Sequence, residues 1–181
     1  LAPSHSESVD ALLEIWEDRG EPEKAIEVLT QYLQAVTSNE IRVSAHIRLG
    51  QIYLEGLGNV EEATRQFQAA LVLEPKNFSA ASALRAIYLD SNEDKPLLDC
   101  LDILLVFAPD LQSRVSLINE MLDVAKRVSD SAVFNAKRKM FLYQPETEGL
   151  RDELDALAES NQSRYLWIDT LIQTAQANSG E

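Results

Sequence analysis

The sequence predicts an all-α protein built from stacked pairs of helices, and three observations lead to this fold class. Apolar residues recur at the three- and four-residue spacing of a helix along most of the chain. Two prolines, Pro75 and Pro109, lie 34 residues apart and mark a repeating unit. With 45% hydrophobic residues in 181, the chain is too apolar to be disordered and long enough to bury a sizeable core.

The first unit spans about 8–37. Leu12, Leu13 and Trp16 follow helical spacing on a first helix, and Ala25 and Leu29 continue it on a second. A Gly-Glu-Pro-Glu segment separates the two patterns, and proline is favoured at the first position of a helix. We therefore expect a helical hairpin here.

The second unit, 43–77, shows the clearest pattern. Leu49, Gly50 and Tyr53 lie on its first helix, and Ala63, Phe67 and Ala70 form a matching stripe on its second. Small residues in such a stripe allow two antiparallel helices to approach closely. Glycines and an asparagine between the helices predict a turn.

The third unit, 78–110, repeats the pattern less regularly. Leu84 and Tyr88 occupy the first helix, Leu101 and Leu104 the second, and Pro109 ends the unit. Two further units, 111–145 and 146–181, rest on helical periodicity alone. The last helix, about 165–177, has two interpretations: the first helix of a unit whose partner lies outside this chain, or a capping helix with a polar outer face.

Over 43–110, and to a lesser extent over 8–37, these residues resemble the tetratricopeptide repeat, a 34-residue unit of two helices. One extra residue between Glu55 and Asn59 departs from that pattern, and we expect the surface turn to absorb it. The resemblance implies one right-handed α-solenoid domain of about five helix hairpins over 1–181. The residues matched to the packing positions of the repeat are Trp16, Ala25, Leu49, Gly50, Tyr53, Ala63, Phe67, Ala70, Pro75, Tyr88 and Pro109.

The resemblance also implies a concave surface, lined by the first helix of each pair, that holds a peptide or a partner protein. The candidate partner-binding residues on those helices are Glu7, Asp10, Glu14, Asp18, Arg48, Gln51, Glu55 and Ser82. The candidate residues of the first unit are all acidic, which favours a partner with a basic segment beside small or apolar residues. In the alternative interpretation, these acids only keep a helix face solvated.

Charge and composition exclude several functions. Thirty acidic and 16 basic residues give a net charge of −14, and no cluster of cations suited to phosphate contacts is present in the sequence, so we expect no nucleic-acid partner. The longest strongly apolar run, 101–108, contains Asp102 and is far shorter than the roughly 20 residues of a spanning helix. We therefore expect no membrane insertion.

Catalytic and metal sites are not predicted either. The single cysteine, Cys100, lies among leucines, where burial makes a thiol inert. His5 lies in a Ser-rich terminus, and His46 has no cysteine or second histidine nearby with which to share a metal. The pair Gly56 and Gly58 follows a helix, so it is a turn and not a phosphate loop. We expect neither enzyme activity nor a cofactor.

The chain begins with Leu1, and its first residues lack the parts of a signal peptide. We expect a fragment of a longer protein, in which a soluble, cytoplasmic location is favoured but the compartment is open. Two alternatives to a peptide-binding module follow. The chain is a structural segment or a regulatory domain of a larger protein or enzyme, or it forms a homodimer through an exposed solenoid end formed by its C-terminal helix.

Overall fold

The computed structural model describes residues 6–178, without the side chains of 6–8, 10, 17 and 178. This part of the chain folds into ten α-helices and contains no strand, which confirms the all-α prediction. In chain order the helices are α1 Ser6–Asp18, α2 Pro22–Ala35, α3 Asn39–Gln51, α4 Val60–Leu73, α5 Phe78–Ser91, α6 Asp94–Phe107, α7 Leu111–Val128, α8 Asp130–Tyr143, α9 Leu150–Ser160 and α10 Arg164–Asn178.

The chain forms two compact units, Leu1–Asp90 and Ser91–Glu181. The first contains α1 to α5, and the second contains α6 to α10. Helices α1 and α2, α3 and α4, α7 and α8, and α9 and α10 pack as successive pairs. The division between the units falls within the predicted repeat 78–110, whose helices are α5 and α6.

A left-handed residue follows four of the described helices, α1, α3, α5 and α9. Gly20, Gly58, Asn92 and Gln162 have φ values of 65°, 62°, 57° and 56°. After α1 and after α9, an amide then bonds a carbonyl five residues earlier, Glu21 to Trp16 at 2.9 Å and Ser163 to Ala158 at 2.9 Å. This arrangement satisfies the last carbonyl groups of a helix while the chain reverses. The turn shared by α1–α2 and α9–α10 is the local signature of a repeated hairpin.

The extra residue of the second unit is not absorbed in a surface turn, as the sequence suggested. Instead α3 continues into a π-helical turn, Ile52–Gly56. The Asn59 amide consequently donates to the Tyr53 carbonyl, six residues earlier, at 2.8 Å. A π turn inserts one residue into a helix while its backbone groups stay hydrogen-bonded, whereas a bulged loop exposes them.

A glycine on α3 faces an aromatic ring on α4. Phe67 is buried against Gly50, and Ala63 and Ala70, which lie on the same helix as Phe67, are fully buried. Other predicted packing residues, Ala25, Leu49 and Tyr88, are also buried, and Trp16 and Tyr53 are half-buried. Pro75 and Pro109 are exposed, so they act in the turns that end α4 and α6 and not in the core.

The last helix is fixed to its neighbours by an aromatic residue. Trp167 on α10 is 2% exposed, packs edge-on against Phe141 on α8 with ring centroids 5.0 Å apart, and donates from Nε1 to Asp155 on α9 at 2.5 Å. Helix α10 therefore packs on the second unit through both α8 and α9. Its outer face is not the polar surface of a cap, because Tyr165, Ile168 and Ile172 are exposed there.

Three consecutive cations on α8 contact three other helices of the second unit. Lys137 pairs with Glu153 on α9, Lys139 pairs with Asp102 on α6, and Arg138 donates to the buried Thr170 on α10 at 3.3 Å. Each cation thus contacts a different helix.

Candidate functional site: a cleft between α1, α2 and α3

A cleft of about 760 Å³ lies in the first unit. Three helices contribute to its walls, with α1 and α3, the first helices of their pairs, joined by residues of α2. The lining residues are Val9, Leu13, Glu14, Leu29, Tyr32, Glu40, Ile41, Ser44, Ala45, Ile47, Arg48 and Gln51.

The floor of the cleft is apolar because helical spacing directs side chains of all three helices towards one point. Val9 and Leu13 lie four residues apart on α1, and Leu29 and Tyr32 lie three apart on α2. Together with Ala45 on α3 they are buried members of one hydrophobic cluster. These side chains are held by packing, so the floor is pre-formed before any ligand arrives.

Polar side chains surround this floor. Glu14 on α1 and Glu40, Ser44 and Gln51 on α3 are exposed, and Arg48 on α3 is half-buried. The described rim therefore carries two carboxylates, one guanidinium, one hydroxyl and one amide. Such a rim can bind cationic side chains and can donate hydrogen bonds to main-chain carbonyl groups.

A second cavity of about 440 Å³ lies where the α1–α2 turn meets the π-helical turn. Gly56, in the π-helical turn, lies so close to the start of α2 that a Cβ atom placed on Gly56 would be 3.0 Å from Cβ of Pro22. Arg48 and Gln51 line both cavities. The lining residues of the second cavity are Gly20, Glu21, Pro22, Arg48, Gln51, Ile52, Glu55 and Gly56.

Cation–π contacts stabilise the α1–α2 turn beside the second cavity. The Trp16 ring has Lys24 Nζ 4.4 Å and Arg19 Cζ 5.2 Å from its centroid. Lys24 also pairs with Glu21, a residue of the cavity wall. Through these contacts, Trp16 stabilises the α1–α2 turn, which forms part of the wall of the second cavity.

The structure brings part of the predicted partner-binding set together. Glu14, Arg48 and Gln51 line the larger cleft, and Glu55 lines the smaller cavity with Arg48 and Gln51. Asp18 is exposed at the last residue of α1, and Ser82 is exposed on α5, which lines neither cavity. Glu7 and Asp10 lie on α1, but their side chains fall outside the described residues.

Sequence reasoning missed Glu40 on the rim and Leu29 and Tyr32 on the floor as site residues. Glu40 could have been found, since it lies four residues before Ser44 and eight before Arg48, on the same face of α3. The floor residues could not, because they lie on the second helix of a pair, whose apolar stripe predicts only packing.

The residues considered for catalysis have structural surroundings. His46 Nδ1 lies 2.8 Å from Gln66 Oε1, which links α3 to α4. Cys100 is 2% exposed, and burial, followed by the charge of Asp99, raises the pKa of its thiol to about 11. His5 lies outside the described residues.

Within residues 6–178, no three His, Cys, Asp or Glu side chains group in a way that could hold a metal ion. Across the same described segment, each helix is too short or too polar to cross a membrane.

Comparison with known proteins supports the architecture. No protein-family model matches the chain, and no curated protein is significantly similar to it in sequence. A solved structure of MamA, "MamA RS-1 ArsTM double mutant", matches 96% of this chain and 94% of its own with a TM-score of 0.53. The chain has a helical-repeat fold. MamA is a protein of the tetratricopeptide type, and at 19% sequence identity the similarity concerns the fold alone.

Proposed function

We propose that this chain is a tetratricopeptide-type interaction module, without catalytic activity, that binds a peptide segment of a partner protein in the larger cleft. The observation that carries this proposal is the cleft itself, a pre-formed apolar floor surrounded by polar side chains on the first helices of two consecutive pairs. Peptide-binding grooves combine these two features, since apolar pockets capture anchoring side chains and the polar rim fixes orientation.

The repeat architecture supports binding over catalysis. Helices α1 and α3 present the same kind of face from neighbouring hairpins, which is how stacked repeats form extended binding surfaces. The carboxylates of Glu14 and Glu40 favour a partner with a basic segment. Capture of an acidic C-terminal tail is disfavoured, since Arg48 is the sole cation that lines the larger cleft.

Blocking the cleft tests this function. Ser44 is exposed on α3 and lines the cleft, so the Ser44→Trp side chain would occupy the space above the floor without replacing a core residue. The protein is first used to select binders from a phage-displayed library of random 12-residue peptides. We expect the dissociation constants of the selected peptides, measured by fluorescence anisotropy, to rise at least tenfold in Ser44→Trp.

A matched control is Ser116→Trp, which places the same side chain on an exposed position of α7 in the second unit. This control should bind the selected peptides with unchanged affinity, and both variants should retain the unfolding temperature of the parent. Selection of no peptide, or equal binding by Ser44→Trp and the parent, would overturn the proposed function.

Association through α10 is a second candidate, favoured by one observation. Tyr165, Ile168 and Ile172 are 70%, 50% and 50% exposed and lie on one face of this helix by their three- and four-residue spacing. A homodimer, or a larger protein of which this chain is a structural or regulatory part, would cover that face. Replacing Ile168 and Ile172 by Ser preserves the buried Trp167 face, so sedimentation of this variant and the parent tests dimerisation. A parent that remains monomeric at 100 μM, or a dimer that the variant retains, would contradict association through this face.

A further inference from the structure

The two cavities of the first unit are adjacent along one helix. Glu40, near the start of α3, lines the larger cleft, and Glu55, in the π-helical turn that follows α3, lines the smaller cavity. Arg48 and Gln51 belong to both. At about 1.5 Å per residue, the path from Glu40 to Glu55 is roughly 22 Å long, the span of about seven residues of extended peptide.

Charge alternates along this path. The larger cleft contributes the carboxylate of Glu40 near the start of α3, and the smaller cavity contributes that of Glu55. Between them lie the guanidinium of Arg48 and the amide of Gln51, both of which donate hydrogen bonds. A ligand complementary to this order carries a cation at each end and main-chain carbonyl groups at its centre.

Apolar surface is concentrated in the larger cleft. Its floor is formed by Leu13, Leu29 and Tyr32, which are buried, whereas Ile52 is the buried apolar residue of the smaller cavity. A bulky apolar side chain therefore gains most by entering the larger cleft. The π-helical turn forms the far end of the path from Glu40 to Glu55, because it places Glu55 and Gly56 against the α1–α2 turn.

We infer that the partner segment is an extended peptide of about seven residues, with a bulky apolar anchor next to one Lys or Arg and a second Lys or Arg roughly five residues beyond the anchor. The anchor occupies the larger cleft, the first cation faces Glu40, and the second cation faces Glu55. This inference rests on the proposed function and specifies the partner of the same site.

The sequences selected from the random 12-residue library test it. We expect them to share the apolar anchor and the two spaced cations, and to bind more weakly as salt concentration increases. In Glu55→Gln, replacing the distal cation of a selected peptide by Ala should no longer weaken binding, while the same change at the proximal cation should still do so. Glu40→Gln should give the opposite result.

The expected loss for each substitution is about two- to fivefold in affinity, the range of an exposed ion pair. Glu146→Gln, an exposed residue between α8 and α9, is the matched control and should change nothing. Selected peptides that lack the paired cations, or a distal cation that is insensitive to Glu55, would overturn this inference and leave the proposed function standing. A library that yields no binder would overturn the proposed function itself.

Discussion

Gly50 on α3 faces the ring of Phe67 on α4 so closely that a Cβ atom at Gly50 would lie 2.7 Å from Cε1 of that ring. Phe67 is 1% exposed, so its ring is packed on all sides by protein and cannot turn away into solvent. The glycine in the Leu-Gly pair of the repeat pattern is therefore explained by one contact between the two helices of a hairpin.

Gly50→Ala should destabilise the protein despite the better helix propensity of alanine. Overpacking costs about 1 to 3 kcal/mol, and the propensity gain offsets about 1 kcal/mol of that. We expect a net loss of about 1 kcal/mol in the free energy of unfolding, measured by urea denaturation. In a Phe67→Leu background the clash is gone, and there Gly50→Ala should be neutral or stabilising. A stabilising Gly50→Ala in the parent would show that the two residues are not in close contact.

Cys100 should be unreactive in the folded protein. Because burial raises the pKa of its thiol to about 11, the reactive thiolate is scarce at pH 8 and is also shielded. We expect no release of thionitrobenzoate from Ellman's reagent within minutes in buffer, and complete reaction in 6 M guanidinium chloride. Fast labelling of the native protein would contradict the packing of α6.

Asp155→Ala should weaken the attachment of α10, since it removes the acceptor for the buried Trp167 indole. A hydrogen bond to a charged group that is partly exposed is worth about 1 to 2 kcal/mol, and we expect that loss in the free energy of unfolding. The emission of Trp167, recorded in a Trp16→Phe background, should shift to longer wavelength. Asp152→Ala, on the exposed part of the same helix, should leave both quantities unchanged.

Arg127 on α7 should control the ionisation of Asp94 on α6. Its guanidinium Nη2 donates to Asp94 Oδ1 at 2.6 Å, and this hydrogen bond lowers the pKa of the carboxyl group below its ordinary value of 3.8. A lowered pKa in the folded state means that the pair stabilises the protein above about pH 4 and loses this effect as pH falls through the folded pKa.

We therefore expect Arg127→Gln to return the pKa of Asp94 towards 3.8, as followed by NMR titration of the carboxyl carbon. The titration of Asp110, whose pKa is lowered chiefly by the backbone amide of Ser113, serves as the internal control and should not move. An unchanged Asp94 titration would mean that the ion pair is absent in solution.

Much of the fold follows from the sequence because hairpin packing is local. Gly50, Phe67 and Ala63 lie close together in the chain, and their sizes determine how α3 and α4 approach. The π-helical turn was not predictable, since a one-residue insertion can lengthen either a loop or a helix, and the pattern Ile52 to Gly56 does not distinguish them.

The sequence predicted the part of the candidate site that lies on one helix, but not the part that depends on packing between helices. The exposed face of α3 gives Arg48 and Gln51 directly from helical spacing. The apolar floor depends on the distance between α1 and α3 above α2. Packing between neighbouring hairpins sets that distance, so the pattern of a single helix does not predict it. The packing of α10 was not predictable either. It rests on the burial of Trp167, and the sequence pattern fits a tryptophan in the core as well as one in an interface.

The most direct test of the central claim, that this helical-repeat module binds a peptide in the cleft, is an NMR titration of the ¹⁵N-labelled protein with the best peptide from the random library. The account predicts that the largest amide shifts occur at Glu14, Glu40, Ser44 and Gln51, with further shifts at Glu55 in the π-helical turn. Shifts confined to the second unit, or a binding peptide that leaves the amides of α1 and α3 unmoved, would contradict it.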